Sequence, residues 1–282
     1  MDSLDGRTIF MSGGSRGIGL AIAVRAARDG ARVALMAKTA EPHPRLPGTI
    51  YTAAEEIEAA GGEALPIVGD IRDAEAVDAG VAQAVERFGG IDIVVNNASA
   101  INLAPMRDLE VKRFDLMQQI NARGTFVVSR ACLPHLRQSE HAHVLTLSPP
   151  LSADPRWLAG HSAYTLSKMG MTMITLGLAA DEGEAGIGAN CLWPRTIIAT
   201  AAVQNLLGGD EAMARARTPE IVADAAQAIL VRDPRSCTGN TFIDDEVLAE
   251  AGITDLDRYV AADHPDLALD IFVDGWPEGV PA

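Results

Sequence analysis

An alternation along the chain, rather than any single motif, most constrains the fold. Seven short apolar runs, Thr8 to Met11, Arg32 to Ala37, Ala64 to Val68, Ile91 to Val95, Val144 to Leu147, Gly188 to Trp193 and Thr241 to Ile243, are separated by longer stretches of helical pattern. Helices are predicted over Ile18 to Asp29, about Thr52 to Ala60, Ala74 to Phe88, Leu109 to Leu136, Ser162 to about Glu182 and Pro219 to Val231, with Gly30 and Gly61-Gly62 as stops. Repeated βα units demand right-handed crossovers, and therefore a parallel sheet. The predicted class is α/β: one doubly wound, seven-stranded parallel sheet with helices on both faces. Apolar residues make up 48% of the chain but aromatics only 4%, so the core is built of Ala, Val, Ile and Leu, which suits strands buried beneath helices.

The net charge of −15 argues against nucleic acid as a partner, because a polyanion needs clustered Lys and Arg, and against anionic membrane surfaces. The acidity reads as a solubility device. Cys132, Cys191 and Cys237 are odd in number and far apart, with neither metal-ligand nor disulfide spacing, so free thiols and no metal are expected. Met1-Asp2-Ser3-Leu4-Asp5 has no secretory pattern, and no apolar run approaches the ~18 residues of a membrane span. A cytoplasmic protein is expected.

Between the first strand and first helix lies Ser12-Gly13-Gly14-Ser15-Arg16-Gly17-Ile18-Gly19. Glycines here give the turn backbone freedom and allow a pyrophosphate to approach, while the amides of the helix start bind phosphate. This is a Rossmann-type dinucleotide seat with Gly13, Ser15, Arg16, Gly17, Ile18 and Gly19 as candidate contacts. The second strand ends Ala37-Lys38-Thr39 without the carboxylate that would bind the ribose of NAD. Lys38 with Arg16 can clamp a 2′-phosphate, so NADP is preferred, with NAD still possible. Asp70 and Ile71, after strand three, are candidates for the adenine. Asn97 and Ala98, in Asn96-Asn97-Ala98-Ser99, border the adenosine ribose, Asn97 also tying strands together. Tyr164 and Lys168, four residues apart, share a helix face, where the ammonium favours phenolate and makes the tyrosine a usable acid–base group.

In combination, Gly13-x3-Gly17-x-Gly19, Asn96-Asn97-Ala98, Asn121, Tyr164-x3-Lys168 and Asn190 leading to Pro194 resemble the short-chain dehydrogenase/reductase family over residues 5 to about 244. The stretches Ala37 to Pro44, Leu147-Ser148-Pro149-Pro150 and Leu192-Trp193-Pro194-Arg195-Thr196 are similar to its hydroxysteroid dehydrogenase-like branch, some members of which carry a sterol-carrier domain for which this chain is too short. The resemblance implies that Tyr164 exchanges a proton with the substrate oxygen. Lys168 would lower the tyrosine pKa and hold the nicotinamide ribose, Asn121 would position a water, and Pro194 and the Ile197 backbone would meet the nicotinamide. The family serine is displaced: counting back from Tyr164 gives Leu151, and aligning on the strand end gives Pro149, so Ser148 is the candidate and Ser152 its rival. Arg195 replaces a customary glycine, and is read either as a cation near the nicotinamide end or as an outward-facing residue.

Leu103, Met106, Trp157, Leu158, Trp193, Leu206 and Leu207 form an apolar inventory for the substrate pocket, with Gly208-Gly209 as a hinge. A small lipophilic alcohol or carbonyl compound is the expected substrate. The proline-rich loop from Glu41 to Thr49 either covers the adenosine end or is passive surface. Residues 1–244 form the Rossmann-type domain, and residues 245–282 an extension packed on it or on a neighbouring subunit. The resemblance further implies a homodimer or homotetramer built on the two long helices. A cofactor-binding regulatory protein and an enoyl-type reductase are the alternatives to an alcohol dehydrogenase or carbonyl reductase.

Overall fold

A computed structural model of the chain describes residues 3–43, 46–206, 208–262 and 266–276; Pro44 and Leu207, named above, lie outside them. Seven parallel strands form one sheet: β1 (Thr8–Ser12), β2 (Arg32–Ala37), β3 (Glu63–Val68), β4 (Ile93–Asn96), β5 (His143–Leu147), β6 (Gly188–Trp193) and β7 (Thr241–Ile243). Their spatial order is β3-β2-β1-β4-β5-β6-β7, with Ile9 paired to Val33 on one side and Ile93 on the other. The order reverses between β1 and β4, which opens a crevice at their carboxyl ends.

Alternation along the strands sorts the core into two layers. Ile9, Met11, Val33, Leu35, Ile93 and Val95 pack with Ile22 of α1 (Gly17–Arg28), Ile50 and Ile57 of α2 (Ile50–Ala59), and Ile221 and Ile229 of the helix over Glu220–Leu230. On the opposite face, Phe10, Ala34, Met36 and Val94 meet Val77 and Val81 of α3 (Ala74–Phe88) and Val128 and Cys132 of the helix over Ala122–Leu136. Asp73 caps α3 by accepting from the Glu75 and Ala76 amides, and left-handed Gly89 ends it.

The predicted long helix from Leu109 to Leu136 is instead two, α4 (Val111–Ile120) and α5 (Ala122–Leu136), broken at Asn121. The Asn121 backbone leaves helical geometry (φ −73°, ψ −80°), and its buried amide bonds both the N–H and the C=O of Ala100. A local side-chain alternative to the helix ladder explains the break. Next come α6 (Pro155–Leu158), α7 (Ser162–Glu182), α8 (Ala201–Leu206), α9 (Gly209–Ala214), α10 (Glu220–Leu230) and α11 (Asp244–Glu250). The described residues include no helix long and apolar enough to cross a membrane. Cys132, Cys191 and Cys237 are free and buried.

The extension packs on the same chain. Ile197 N–H donates to Ala268 and Asp270 N–H to Arg195, so residues 268–270 run antiparallel to residues 195–197. Trp193 Nε1 then donates to the Ile271 carbonyl at 2.9 Å.

Candidate active site

The carboxyl ends of the strands open into one cavity of about 1550 Å³, well above the ~300–1,000 Å³ of a pocket for a drug-sized molecule. Gly13, Ser15, Arg16, Gly17 and Ile18 line one end; Lys38, Asp70, Ile71, Asn97 and Ala98 line its flank; Tyr164, Lys168, Pro194 and Ile197 line the other end. Gly19 lies beneath, where a Cβ would stand 2.4 Å from Asn97 Nδ2 and 2.7 Å from the Gly13 carbonyl. At Gly13 (φ +77°) a Cβ would meet Ala98 Cα at 2.7 Å. These contacts let α1 press against the ends of β1 and β4. No side chain caps the start of α1, and its first turn holds no acidic residue. Its free amides therefore suit an anionic ligand, and the cavity they border fits a dinucleotide.

At the flank, Asp70 accepts a forked bond from Arg72, and Lys38 Nζ lies 3.5 Å from the same carboxylate. The Arg72 guanidinium, chiefly, holds this carboxyl down at about 2. Asp70 is thus committed to cations, while Lys38 remains half exposed at the cavity wall. Arg16 donates to the carbonyls of Pro47 (2.9 Å) and Gly48 (3.0 Å), which draws the proline-rich loop onto the cavity. His43, Leu46 and Pro47 line it there.

At the other end, Tyr164 and Lys168 sit one turn apart on α7 and are buried, with 5% and 2% of their surfaces exposed. The ammonium of Lys168 donates to the Leu147 carbonyl beneath the Trp193 ring, 5.0 Å from its centroid. Burial pushes this lysine down to about 7, against the attraction of Asp270. Burial also pushes the Tyr164 phenol well above its ordinary value, Asp270 adds to the rise, and the nearby Ser99 hydroxyl opposes it. The Lys168 ammonium, one turn away, is directed at the Leu147 carbonyl. Phe272 stacks on the Tyr164 ring at 6.2 Å and 26°, holding a left-handed φ of 72°.

Some residues named from the sequence line the cavity with their polar groups already bonded, and others lie off its wall. Ser148 is fully buried, does not line the cavity, and accepts a bond from Thr172 Oγ1 at 3.0 Å. The Ser152 hydroxyl accepts the Asp154 amide, also off the cavity wall. Asn121 spends its side chain on Ala100 and Ser167. Asn97 donates to the Gly13 carbonyl at 2.7 Å, the strand-tying role. The Ile197 N–H donates to the Ala268 carbonyl of the extension, and its C=O accepts the Arg217 amide. Arg195 faces neither the cavity nor solvent: it is 4% exposed and holds Asp245, Glu246 and the Gly275 carbonyl. Of the proposed substrate wall, Leu103, Trp193 and Leu206 line the cavity, whereas Met106, Trp157 and Leu158 do not.

Sequence reasoning missed Ser99, Asp270 and Phe272. Ser99 directly follows Asn96-Asn97-Ala98, and its place at the end of that motif is the signal for it. Asp270 and Phe272 come from the extension, where no spacing signals a return to the first domain's strand ends.

The family model described as short chain dehydrogenase matches residues 7–210. The hydroxysteroid dehydrogenase-like protein 2 of Danio rerio is 54% identical over 98% of this chain, and that of Homo sapiens 50% identical over 98%. The chain spans 66% of the length of each. In three dimensions it is similar to a short chain dehydrogenase of Mycobacterium thermoresistibile, with a TM-score of 0.93 and 59% identity over 98% of this chain and 99% of that one. Fold, cavity and these likenesses agree: the chain belongs to the short-chain dehydrogenase/reductase family, whose members use NAD or NADP.

Proposed function

We propose that this chain interconverts a lipophilic secondary alcohol and its ketone, or an alcohol and aldehyde, using NADP in preference to NAD. The observation that carries the reading is one continuous cavity running from the amides of α1, which no side chain caps, to the Tyr164 phenol. When bound, the dinucleotide supplies or accepts the hydride. Gly13 to Ile18 would hold its pyrophosphate, and Lys38, the half-exposed cation on the flank, its 2′-phosphate. Tyr164 Oη gives its proton to the ketone oxygen, or takes one from the alcohol, so that charge does not accumulate on that oxygen.

Ser99 and Lys168 set the readiness of that proton. The Ser99 hydroxyl beside the phenol favours the ionised form and takes over part of the role that a loop serine would play. Turning the Lys168 ammonium from Leu147 toward the phenol would add to this effect. Trp193, Leu103, Ile101 and Ile271 make the walls apolar, and Phe272 over Tyr164 excludes water.

A second copy of the chain would cover the apolar residues left exposed on α5 and α7, namely Phe126, Leu166 and Met173, which are 52%, 57% and 61% exposed. Sedimentation of Met173→Glu should then show a smaller particle than the wild type; equal sizes would count against this assembly. The test of function is a fluorescence titration with NADPH and NADH, followed by a panel of lipophilic ketones. Tighter binding of NADPH, with ketone-dependent oxidation, is expected. Tight binding without turnover would favour a regulatory protein, and no binding of either nucleotide would defeat the proposal.

A further inference from the structure

The extension brings a carboxyl group to the reacting end of the cavity. Asp270 lines it together with Tyr164, Lys168, Ser99 and Trp193. Its backbone is held firmly: its N–H donates to Arg195, and its neighbours Ala268 and Ile271 are bonded to Ile197 and Trp193. Its Oδ1 accepts the Ile271 amide at 2.7 Å. Among the described residues it forms no close ion pair, and Lys168, the nearby cation that attracts it, donates to the Leu147 carbonyl. A carboxyl offers about four acceptor positions, and Asp270, partly exposed at the cavity wall with Ser99, Tyr164 and Lys168, keeps some of them open to a ligand there. The charged or titratable groups that act on Asp270 are Tyr164 and Lys168 from α7 and Asp244 from α11. Burial first, then Asp244, pushes its carboxyl up to about 7, with the Ile271 bond and Lys168 opposing. Near neutrality it can therefore accept a hydrogen bond when ionised, or donate one when protonated.

Resting on the oxidoreductase reading, we propose that Asp270 determines specificity: it selects a lipophilic substrate carrying a hydroxyl on the carbon next to the reacting one, an α-hydroxyketone or vicinal diol. A neutral hydroxyl can bond this carboxyl in either of its protonation states without adding charge. A substrate ammonium would face Lys168 across the same space, and a substrate carboxylate would face Asp270 itself. Sites built to bond a hydroxyl reject the analogue lacking it more strongly than apolar pockets reject one with a methylene too few.

The test compares 1-hydroxy-2-decanone with 2-decanone, which share chain length and reacting carbon. Binding to the NADPH complex is read by tryptophan fluorescence, since Trp193 borders the cavity, and turnover by loss of NADPH absorbance. The wild type should favour the hydroxyketone at least tenfold in both binding and kcat/KM. Asp270→Leu should bring that ratio within twofold while still reducing 2-decanone. Asp270→Asn keeps an acceptor and should give an intermediate ratio, which also serves if the leucine variant does not fold. A wild-type ratio under twofold, a ratio unchanged in both variants, or no binding of either ketone would overturn the proposal. A hydroxyketone preference in binding that Asp270→Leu abolishes, without turnover of either compound, would uphold selection by Asp270 and overturn the oxidoreductase reading.

Discussion

At the scale of single residues, the site is governed by burial more than by charge pairing. Tyr164 and Lys168 are both pushed toward their neutral forms, because enclosure in protein costs each charge more than its partner returns. Asp244 follows the same rule. It is fully buried, and burial pushes its carboxyl up to about 7 despite the bonds it accepts from the Arg195 and Asp245 amides. The folded chain thus keeps a proton that the unfolded chain releases near the ordinary value of 3.8. Its contribution to stability is fullest below that value and is lost as pH rises toward 7. Asp244→Asn keeps an acceptor for both amides but cannot ionise. Urea unfolding should show the variant gaining on the wild type by on the order of 2–4 kcal/mol between about pH 4 and pH 8. A constant difference across that range would contradict this account. The YxxxK pair was legible in the sequence because helical spacing alone puts both side chains on one face. The direction of the Ser148 hydroxyl was not legible, because it depends on Thr172, 24 residues along the chain, which donates to it.

Among elements, strands and helix order were readable from period and punctuation, and the predicted seven-stranded parallel sheet is the one observed. Elements that owe their form to long-range partners were not. Asn121 breaks α4 from α5 through its bonds to Ala100 across the cavity edge, which no local propensity announces. Residues 268–270 contain no strong strand pattern, yet pair with residues 195–197 because those backbone groups lie open beyond β6. The turn from β1 into α1 was legible because its demands are steric. Gly13→Ala would put a Cβ against the Ala98 backbone at a positive φ. It should cost about 1–3 kcal/mol in chemical denaturation and weaken nucleotide binding at least tenfold. An alanine variant with wild-type affinity would show that the close approach of α1 and β4 is not needed for binding.

In the molecule as a whole, Arg195 is one of the points at which the segment after β7 is tied to the end of β6. This arginine holds Asp245, Glu246 and the Gly275 carbonyl, and Asp245 is itself buried. Arg195→Ala strands that carboxylate and should cost about 3–5 kcal/mol of stability, with the residues over Tyr164 loosened. Thermal unfolding within a degree of the wild type would argue against this anchor. The proposed function divides labour along one cavity, nucleotide at the α1 end and proton transfer at the α7 end. Tyr164→Phe tests that division most directly, because it removes one hydroxyl and leaves the other end untouched. Ketone-dependent NADPH oxidation should fall by about 10²–10⁴-fold while NADPH affinity stays within twofold. Turnover that survives the substitution would contradict the assignment of Tyr164, and with it the proposed chemistry.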